Sequence, residues 1–333
     1  MKLAVAKEWK IDFKKPLSNP SPHDPIMNIV TGGLGFIGNE LVRQLLRAGE
    51  EFVVLDNRNR TAPDIGDLAG ARVIEVDLTQ HEQVAATLAG LKPKTVFHLA
   101  AIHFIPECNA NPERTLRVNV EATMGLLRAC AAAGAQHFLY ASSGAIYADS
   151  PAALSEASTI GPVDIYGWSK WFGEGLCQWQ GAANGLKITL CRLFNNYGPR
   201  ETNAHIVPEI LNQLKQSRRL ALGNTKPRRD YIHTSDTAKA LRLLANKPPA
   251  TCQIVNVASG ADASVDELIV LLSELLGERI EVTVDQSRFR QADKLVQRAD
   301  IARLRQLTGW QPEIPLKEGL RELLRYEGLL PRK

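Results

Sequence analysis

The sequence predicts an α/β protein: a doubly wound parallel sheet followed by a smaller α/β domain. Three observations predict it. Short apolar runs alternate with amphipathic helical patterns through the first 198 residues. Each run is almost wholly apolar, as strands covered on both faces must be. A glycine-rich turn joins the first run to the first helical pattern.

The runs are Met27-Val30, Phe52-Leu55, Val73-Val76, Thr95-Leu99, His137-Ala141 and Lys187-Leu193, separated by helical patterns at 39–48, 80–89, 113–133 and 166–182. After Pro199 the rhythm changes. Residues 206–217 read as a helix, Arg228 to Ile232 is basic and then aromatic, and Ile254-Val257 reads as one more buried strand. An amphipathic helix follows at 264–276, then a strand at Arg279-Val284 and a helical tail at 300–328 broken at Trp310-Gln311-Pro312. The expected division is a dinucleotide-binding domain of residues 27–198 plus about 233–258, and a substrate domain of about 199–232 plus 259–333. Residues 1–26 are polar, with Lys2, Lys7, Lys10, Lys14 and Lys15, and lack the apolar core of a secretory signal. They are expected to be a flexible extension.

The composition, 44% hydrophobic and 23% charged, is that of an ordinary soluble globular protein. The net charge of +4 is dispersed, with no basic stripe interleaved with aromatics, so no nucleic-acid partner is expected. No apolar run reaches the ~18 residues of a membrane span. The cysteines, Cys108, Cys130, Cys177, Cys191 and Cys252, show no CxxC spacing and read as reduced, buried thiols of a cytoplasmic protein. The histidines form no HxxxH or HExxH pattern, so no metal site is expected.

The turn Thr31-Gly32-Gly33-Leu34-Gly35-Phe36-Ile37-Gly38 lies between a strand and a helix. Gly32, Gly35 and Gly38 form a GxxGxxG register, and Gly33, Gly35 and Gly38 also satisfy GxGxxG. Such a turn puts bare N–H groups at a helix N-terminus, where a diphosphate can sit, and makes the sheet Rossmann-type. The second run ends in Asp56, an acid about 20 residues after the glycines, where a ribose-binding carboxylate belongs. That acid favours NAD, because it accepts both ribose hydroxyls and would repel a 2′-phosphate. Arg58 and Arg60 lie just beyond and offer that phosphate a contrary welcome.

Tyr166 and Lys170, four positions apart in Tyr166-Gly167-Trp168-Ser169-Lys170, share a helix face. A free tyrosine ionises near pH ~10, and making it a base at neutrality takes ~4 kcal/mol of differential stabilisation of the phenolate. A neighbouring ammonium and a positively charged nicotinamide would supply it. Upstream, Tyr140-Ala141-Ser142-Ser143-Gly144-Ala145-Ile146-Tyr147 sits at the C-terminal end of a predicted strand, the end that faces the ligand crevice in open α/β sheets.

These residues resemble the extended short-chain dehydrogenase/reductase family, and within it the NAD-dependent nucleotide-sugar epimerase/dehydratase group typified by UDP-glucose 4-epimerases. The likeness runs from Met27 to about Tyr326. Besides the turn and the Tyr/Lys pair it includes Asp77-Leu78, His98-Leu99-Ala100-Ala101, Asn119-Val120, Arg192 to Pro199, Arg229 to His233 and Thr308-Gly309-Trp310-Gln311-Pro312. Carried over by position, it implies that Gly32, Gly35, Phe36, Ile37 and Gly38 form the pyrophosphate turn. It implies Asp56 and Asn57 at the adenosine ribose, and Asp77 and Leu78 beside the adenine. Leu99, Ala100, Ala101 and Asn119 would run along the cofactor. Ser143 and Tyr166 would contact the sugar C4 oxygen, with Tyr166 as acid/base, and Lys170 would hold the nicotinamide ribose. Asn195, Arg229 and Arg290 would meet the substrate's diphosphate or nucleoside, as a guanidinium fork matches phosphate oxygens.

Departures from the family pattern narrow the reading. Ser143 is followed by Gly144-Ala145 where dehydratases carry an acidic pair, which argues against 4,6-dehydration. His103 stands where galactose epimerases carry a lysine, Leu193 where a tyrosine is frequent, and Ala148 where glycine is usual. The expected function is an NAD-dependent nucleotide-sugar 4-epimerase. A 4-keto-6-deoxy-sugar reductase is the alternative, since Phe289-Arg290-Gln291-Ala292-Asp293 also resembles GDP-deoxyhexose reductases; a non-catalytic NAD(P) sensor is the remote one. Trp168, Trp171 and Trp179 read as core or dimer contacts, and His205 and His233 as loop and strand hydrogen-bonders. Homodimerisation through the helices at 113–133 and 166–182 is implied by the resemblance.

Overall fold

The computed structural model describes residues 27–59, 61–63, 68–201, 203–289 and 294–331. The extension at 1–26 and the expected sites Arg60 and Arg290 lie outside the described residues. The first half of the fold runs β1 (Met27–Thr31), α1 (Phe36–Arg47), β2 (Phe52–Asp56), β3 (Arg72–Glu75), α2 (His81–Ala89), β4 (Pro93–His98), α3 (Ile105–Ala110), α4 (Pro112–Leu116), α5 (Ala122–Ala132), β5 (His137–Ser143), α6 (Ile165–Asn184) and β6 (Lys187–Leu193). The second half runs β7 (Asn195–Tyr197), α7 (Ile206–Leu214), β8 (Arg219–Leu222), β9 (Arg228–His233), α8 (Thr234–Ala245), β10 (Cys252–Val257), β11 (Asp262–Ser264), α9 (Val265–Leu276), β12 (Glu281–Val284), β13 (Val296–Gln297), α10 (Ala302–Thr308) and α11 (Leu316–Tyr326).

Seven strands form one parallel sheet in the order β10-β6-β5-β4-β1-β2-β3. This is the Rossmann order with one more strand at the β6 edge. The order reverses between β1 and β4, so a crevice opens beyond their C-terminal ends. β2 and β5 are buried along their whole length, as their unbroken apolar runs predict. β3 closes one edge and exposes Arg72 and Glu75, charges suited to a strand with no further neighbour. One apolar cluster (Val30, Leu41, Val54, Leu241, Val255) packs on one face, and another (Ile29, Val53, Leu126, Phe138, Leu190) on the other.

A smaller layer covers the crevice. β9 pairs in parallel with β7 and β13 and antiparallel with β11, while β8 pairs with β12. Its core joins Val207, Ile210 and Leu211 of α7 to Leu268 and Leu272 of α9 and Leu320 and Leu324 of α11. α9 starts where Ser264 and Glu267 cap each other's backbone N–H groups. Among the described residues no helix is long and apolar enough to cross a membrane, and no group of three or more His, Cys, Asp or Glu could hold a metal ion.

Three local features differ from expectation. The helix expected over 113–133 is two helices joined by a π-helical turn at Arg117–Glu121, which turns Asn119 inward. α3, α8 and the short strands β7, β8, β11 and β13 are additional elements. Of the cysteines, all free, Cys252 is exposed, because it opens the edge strand β10.

Candidate active site

A cavity of about 460 Å³ lies at the C-terminal ends of the central strands, under the smaller layer. On the β1 side it is lined by Gly32, Gly35, Phe36, Ile37 and Gly38. Gly32 has φ +68°, and a Cβ there would strike the backbone N of Ala100 at 2.7 Å. At Gly38 a Cβ would fall 2.1 Å from the carbonyl oxygen of Gly32. The glycines therefore let the turn fold against β4 and α1. No side chain caps the N-terminus of α1, and its first turn holds no acid. Its positive end is left to an external anion, so this cradle fits a pyrophosphate.

Asp56, Asn57, Asp77 and Leu78 line the next stretch of wall. The two oxygens of Asp56 accept the N–H groups of Leu34 at 3.0 Å and Arg58 at 2.7 Å, tying the glycine turn to the end of β2. Burial raises the Asp56 pKa, and these two N–H groups and the Arg58 charge oppose it. Arg58 forms an ion pair with Glu75 at 3.2 Å, so its guanidinium is turned toward β3. Asp77 caps its own turn through Thr79 at 2.9 and 2.8 Å. Leu99, Ala100 and Ala101 form the opposite wall, after β4. Asn119 sits one layer behind it. Its side chain exchanges two 2.8 Å hydrogen bonds with the backbone of Ile102 and donates to Ser169 Oγ at 3.0 Å. It thus braces the wall against α6.

Ser143, at the end of β5, and Tyr166 and Lys170, on α6, line the same cavity. Asp164 starts α6 by accepting the N–H of Gly167 at 2.8 Å. Tyr166 then lies in the first turn with Lys170 one turn on. Lys170 Nζ donates to Ala141 O at 2.8 Å and lies 5.9 Å from the Tyr166 ring centroid. Ser143 stands near enough to Tyr166 to lower its pKa, and the N–H of Ala145 holds Ser143 Oγ at 3.1 Å. Burial raises the Tyr166 pKa well above its ordinary value, against the lowering effect of Ser143. Burial also brings Lys170 down to about 8. Desolvation thus opposes the phenolate that the ammonium and a positively charged nicotinamide are together expected to stabilise.

Asn195 on β7 and Arg229 on β9 line the cavity from the smaller layer. Arg229 donates to the carbonyls of Arg228 at 2.9 Å and Lys294 at 2.8 Å. Its neighbour Asp230 takes the N–H groups of Ser259, Gly260 and Ala299, and Asp236 those of Glu313 and Ile314. His103 and His205 stack at 5.5 Å on the cavity wall, and Asn203 bonds His103 at 3.1 Å. His233 caps α8 by accepting the N–H of Ser235. Trp171 packs against a small cluster, whereas Trp168 and Trp179 are 43% and 55% exposed. Sequence reasoning missed Lys294 and Gln297, both cavity residues from the segment entering β13. No local motif marks them: Lys294 lies two positions before the two-residue strand β13 and Gln297 ends it.

A glycine turn on an uncapped helix, a strand-end acid and a Ser/Tyr/Lys set on one cavity define a dinucleotide-dependent enzyme. The chain belongs to the NAD dependent epimerase/dehydratase family, whose pattern residues 28–258 match; NAD is the family's cofactor. It is 31% identical over 306 residues to a GDP-6-deoxy-D-mannose reductase of Pseudomonas aeruginosa, covering 89% of this chain and 95% of that protein. It is 30% identical over 325 residues to a UDP-glucose 4-epimerase of Azospirillum brasilense, covering 90% of this chain and 91% of that one. The Thermus thermophilus UDP-glucose 4-epimerase, solved with NAD, superposes with a TM-score of 0.81 at 28% identity, over 91% of this chain and 99% of that one.

Proposed function

We propose that this chain is a nucleotide-sugar 4-epimerase that holds NAD between the glycine turn and the β4 wall. The observation that carries the reading is one cavity shared by that turn, Asp56 and the Ser143–Tyr166–Lys170 set. Gly32, Gly35 and Gly38 leave room for the pyrophosphate beside the free N–H groups of α1, and Phe36 and Ile37 supply two of them. Asp56, with Asn57 beside it, accepts the ribose hydroxyls. Asp77 and Leu78 flank the base, and Leu99, Ala100 and Ala101 face the cofactor with Asn119 bracing them. When bound, NAD supplies an acceptor and donor of hydride at the sugar C4. Tyr166 takes the proton from the C4 hydroxyl and later returns it, Ser143 shares the hydrogen bond, and Lys170 holds the ribose and adds charge. Asn195, Arg229 and Arg290 anchor the substrate diphosphate while the sugar turns its other face.

The second reading is a 4-keto-sugar reductase using the same residues, with Tyr166 as proton donor. The likeness to the Pseudomonas reductase favours it. We further propose a homodimer through α5 and α6, whose exposed Trp168, Phe172 and Trp179 form one apolar stripe. NMR of the purified protein with a panel of nucleotide sugars, and no added cofactor, tests the reading. Appearance of a C4 epimer supports the epimerase. Turnover only with NAD(P)H and a 4-keto sugar replaces it with the reductase.

A further inference from the structure

Lys294 is 7% exposed, yet its side chain ends on the wall of the cavity. Its ammonium donates to the carbonyl oxygens of Ala145, at 2.9 Å, and Tyr147. Three residues on, Gln297 Nε2 donates to the carbonyl of Gly144 at 2.8 Å. One short segment thus grips three carbonyls of the turn that follows Ser143. Burying an ammonium is costly unless its donors are satisfied, and here backbone carbonyls satisfy two of them. No carboxylate among the described residues lies in ion-pair contact with it.

The far side of the same turn reaches the reacting hydroxyls. The N–H of Ala145 fixes Ser143 Oγ at 3.1 Å, and Ser143 and Tyr166 line the same cavity. On the other flank, Arg229 holds the Lys294 carbonyl at 2.8 Å, and Val296 and Gln297 pair with Arg228 and Arg229. A continuous set of contacts therefore runs from β9 of the smaller layer, through Lys294, to the Ser143 turn.

We propose that Lys294 is a positioning residue: it ties the Gly144–Tyr147 turn to Arg229 of β9, and so sets where Ser143 stands beside Tyr166 for proton transfer. The inference rests on Tyr166 being the acid/base of the proposed reaction. A residue that acts only through Ser143 has a distinctive signature. Its loss lowers kcat and leaves KM, and it adds nothing once Ser143 is gone.

The test compares wild type, Lys294→Met and Lys294→Gln, each with and without Ser143→Ala, using UDP-glucose and GDP-mannose as probes. Lys294→Met should lower kcat about ten- to a hundredfold, the scale of a small misplacement at a reacting centre. KM should stay within about threefold, and the rising limb of kcat against pH should move to higher pH, since Ser143 no longer lowers the Tyr166 pKa. Lys294→Gln, which keeps a donor, should recover part of the rate. In the Ser143→Ala background, Lys294→Met should cost nothing further. An equal loss in that background, or an unmoved limb, overturns the proposal. Should Lys294→Met fail to fold, Gln297→Met, which removes only the bond to Gly144, should shift the limb in the same direction; an unmoved limb overturns the proposal equally. A crystal structure of whichever variant folds decides without turnover: a displaced turn with Ser143 off Tyr166 supports the clamp, and an unmoved turn overturns it. Wild type silent with both probes would count against the functional reading and leave that structure to decide the clamp.

Discussion

Lys170 Nζ donates to the carbonyl of Ala141 at 2.8 Å, stitching α6 to β5 two residues before Ser143. The bond holds an ammonium where water is excluded, and burial brings its pKa from 10.5 to about 8. Between those values the unfolded chain carries a proton that the folded chain has released. Stability therefore rises with pH across that window, by up to about 3 kcal/mol. Below it, burial of the charged form is a constant cost. The difference in unfolding free energy between wild type and Lys170→Met should climb from pH 8 to 10.5. A flat difference would mean that Lys170 titrates outside the window.

The proposed chemistry rests on the Ser143–Tyr166 pair. Tyr166→Phe should lower kcat about 10²- to 10⁴-fold, the range of a lost general acid/base, while NAD binding followed by fluorescence is unchanged. Ser143→Ala should lower kcat less and move its rising limb to higher pH, because the hydroxyl that lowers the Tyr166 pKa is gone. An unmoved limb would remove Ser143 from the proton path.

What the sequence showed of this site was local. Gly32, Gly35 and Gly38 are read from spacing because backbone sterics act over a single turn, and Asp56 is read from the strand it ends. Tyr166 and Lys170 share a face by helical periodicity alone. Burial is not local. The spacing revealed the charge of Lys170 but not the desolvation that raises Tyr166 and lowers Lys170. Nor did it show Lys294, whose partners lie 147 and 149 positions away. α8 escaped because its N-cap is a histidine, not one of the usual Ser, Thr, Asp or Asn. The π-turn escaped because Arg117 to Glu121 sit inside one continuous helical pattern, and the apolar period does not show a single widened turn.

The cofactor preference should follow the pairing of Arg58 with Glu75 at 3.2 Å. With that guanidinium engaged and Asp56 at the ribose position, NAD should bind more tightly than NADP. Asp56→Ala together with Glu75→Gln removes the repelling acid and releases the arginine. The NAD/NADP affinity ratio, measured by calorimetry, should fall at least about tenfold, a change of ~1.4 kcal/mol. An unchanged ratio would place the adenosine ribose elsewhere.

Trp168 and Phe172 stack at 5.7 Å on the outside of α6, and Trp179 lies three turns along the same face. Gly175, between them, has no atom within 4 Å of where a Cβ would stand. A face this apolar is expected to be covered by a second copy. Trp168→Glu with Trp179→Glu should convert a dimer to a monomer in sedimentation velocity, since a buried unpaired carboxylate opposes association. A wild-type monomer would reject the dimer outright.

The two ends of the glycine turn should fail differently. At Gly38 an added Cβ meets the backbone of Gly32 and Gly33, at 2.1 Å from Gly32 O and 2.8 Å from Gly33 Cα. Backbone cannot rotate away, so Gly38→Ala should displace the turn and cost about 1–3 kcal/mol of stability as well as NAD affinity. At Gly35 the nearest atom is Gly32 O at 3.3 Å, and the residue lines the cavity. Gly35→Ala should therefore fold normally and lose NAD affinity by at least about tenfold, because the methyl occupies space the pyrophosphate needs. Thermal melts with and without NAD separate the two cases. Gly38→Ala should melt lower in both, and Gly35→Ala should melt as wild type alone but gain less when NAD is added. Equal gains for Gly35→Ala and wild type would move the pyrophosphate off this turn.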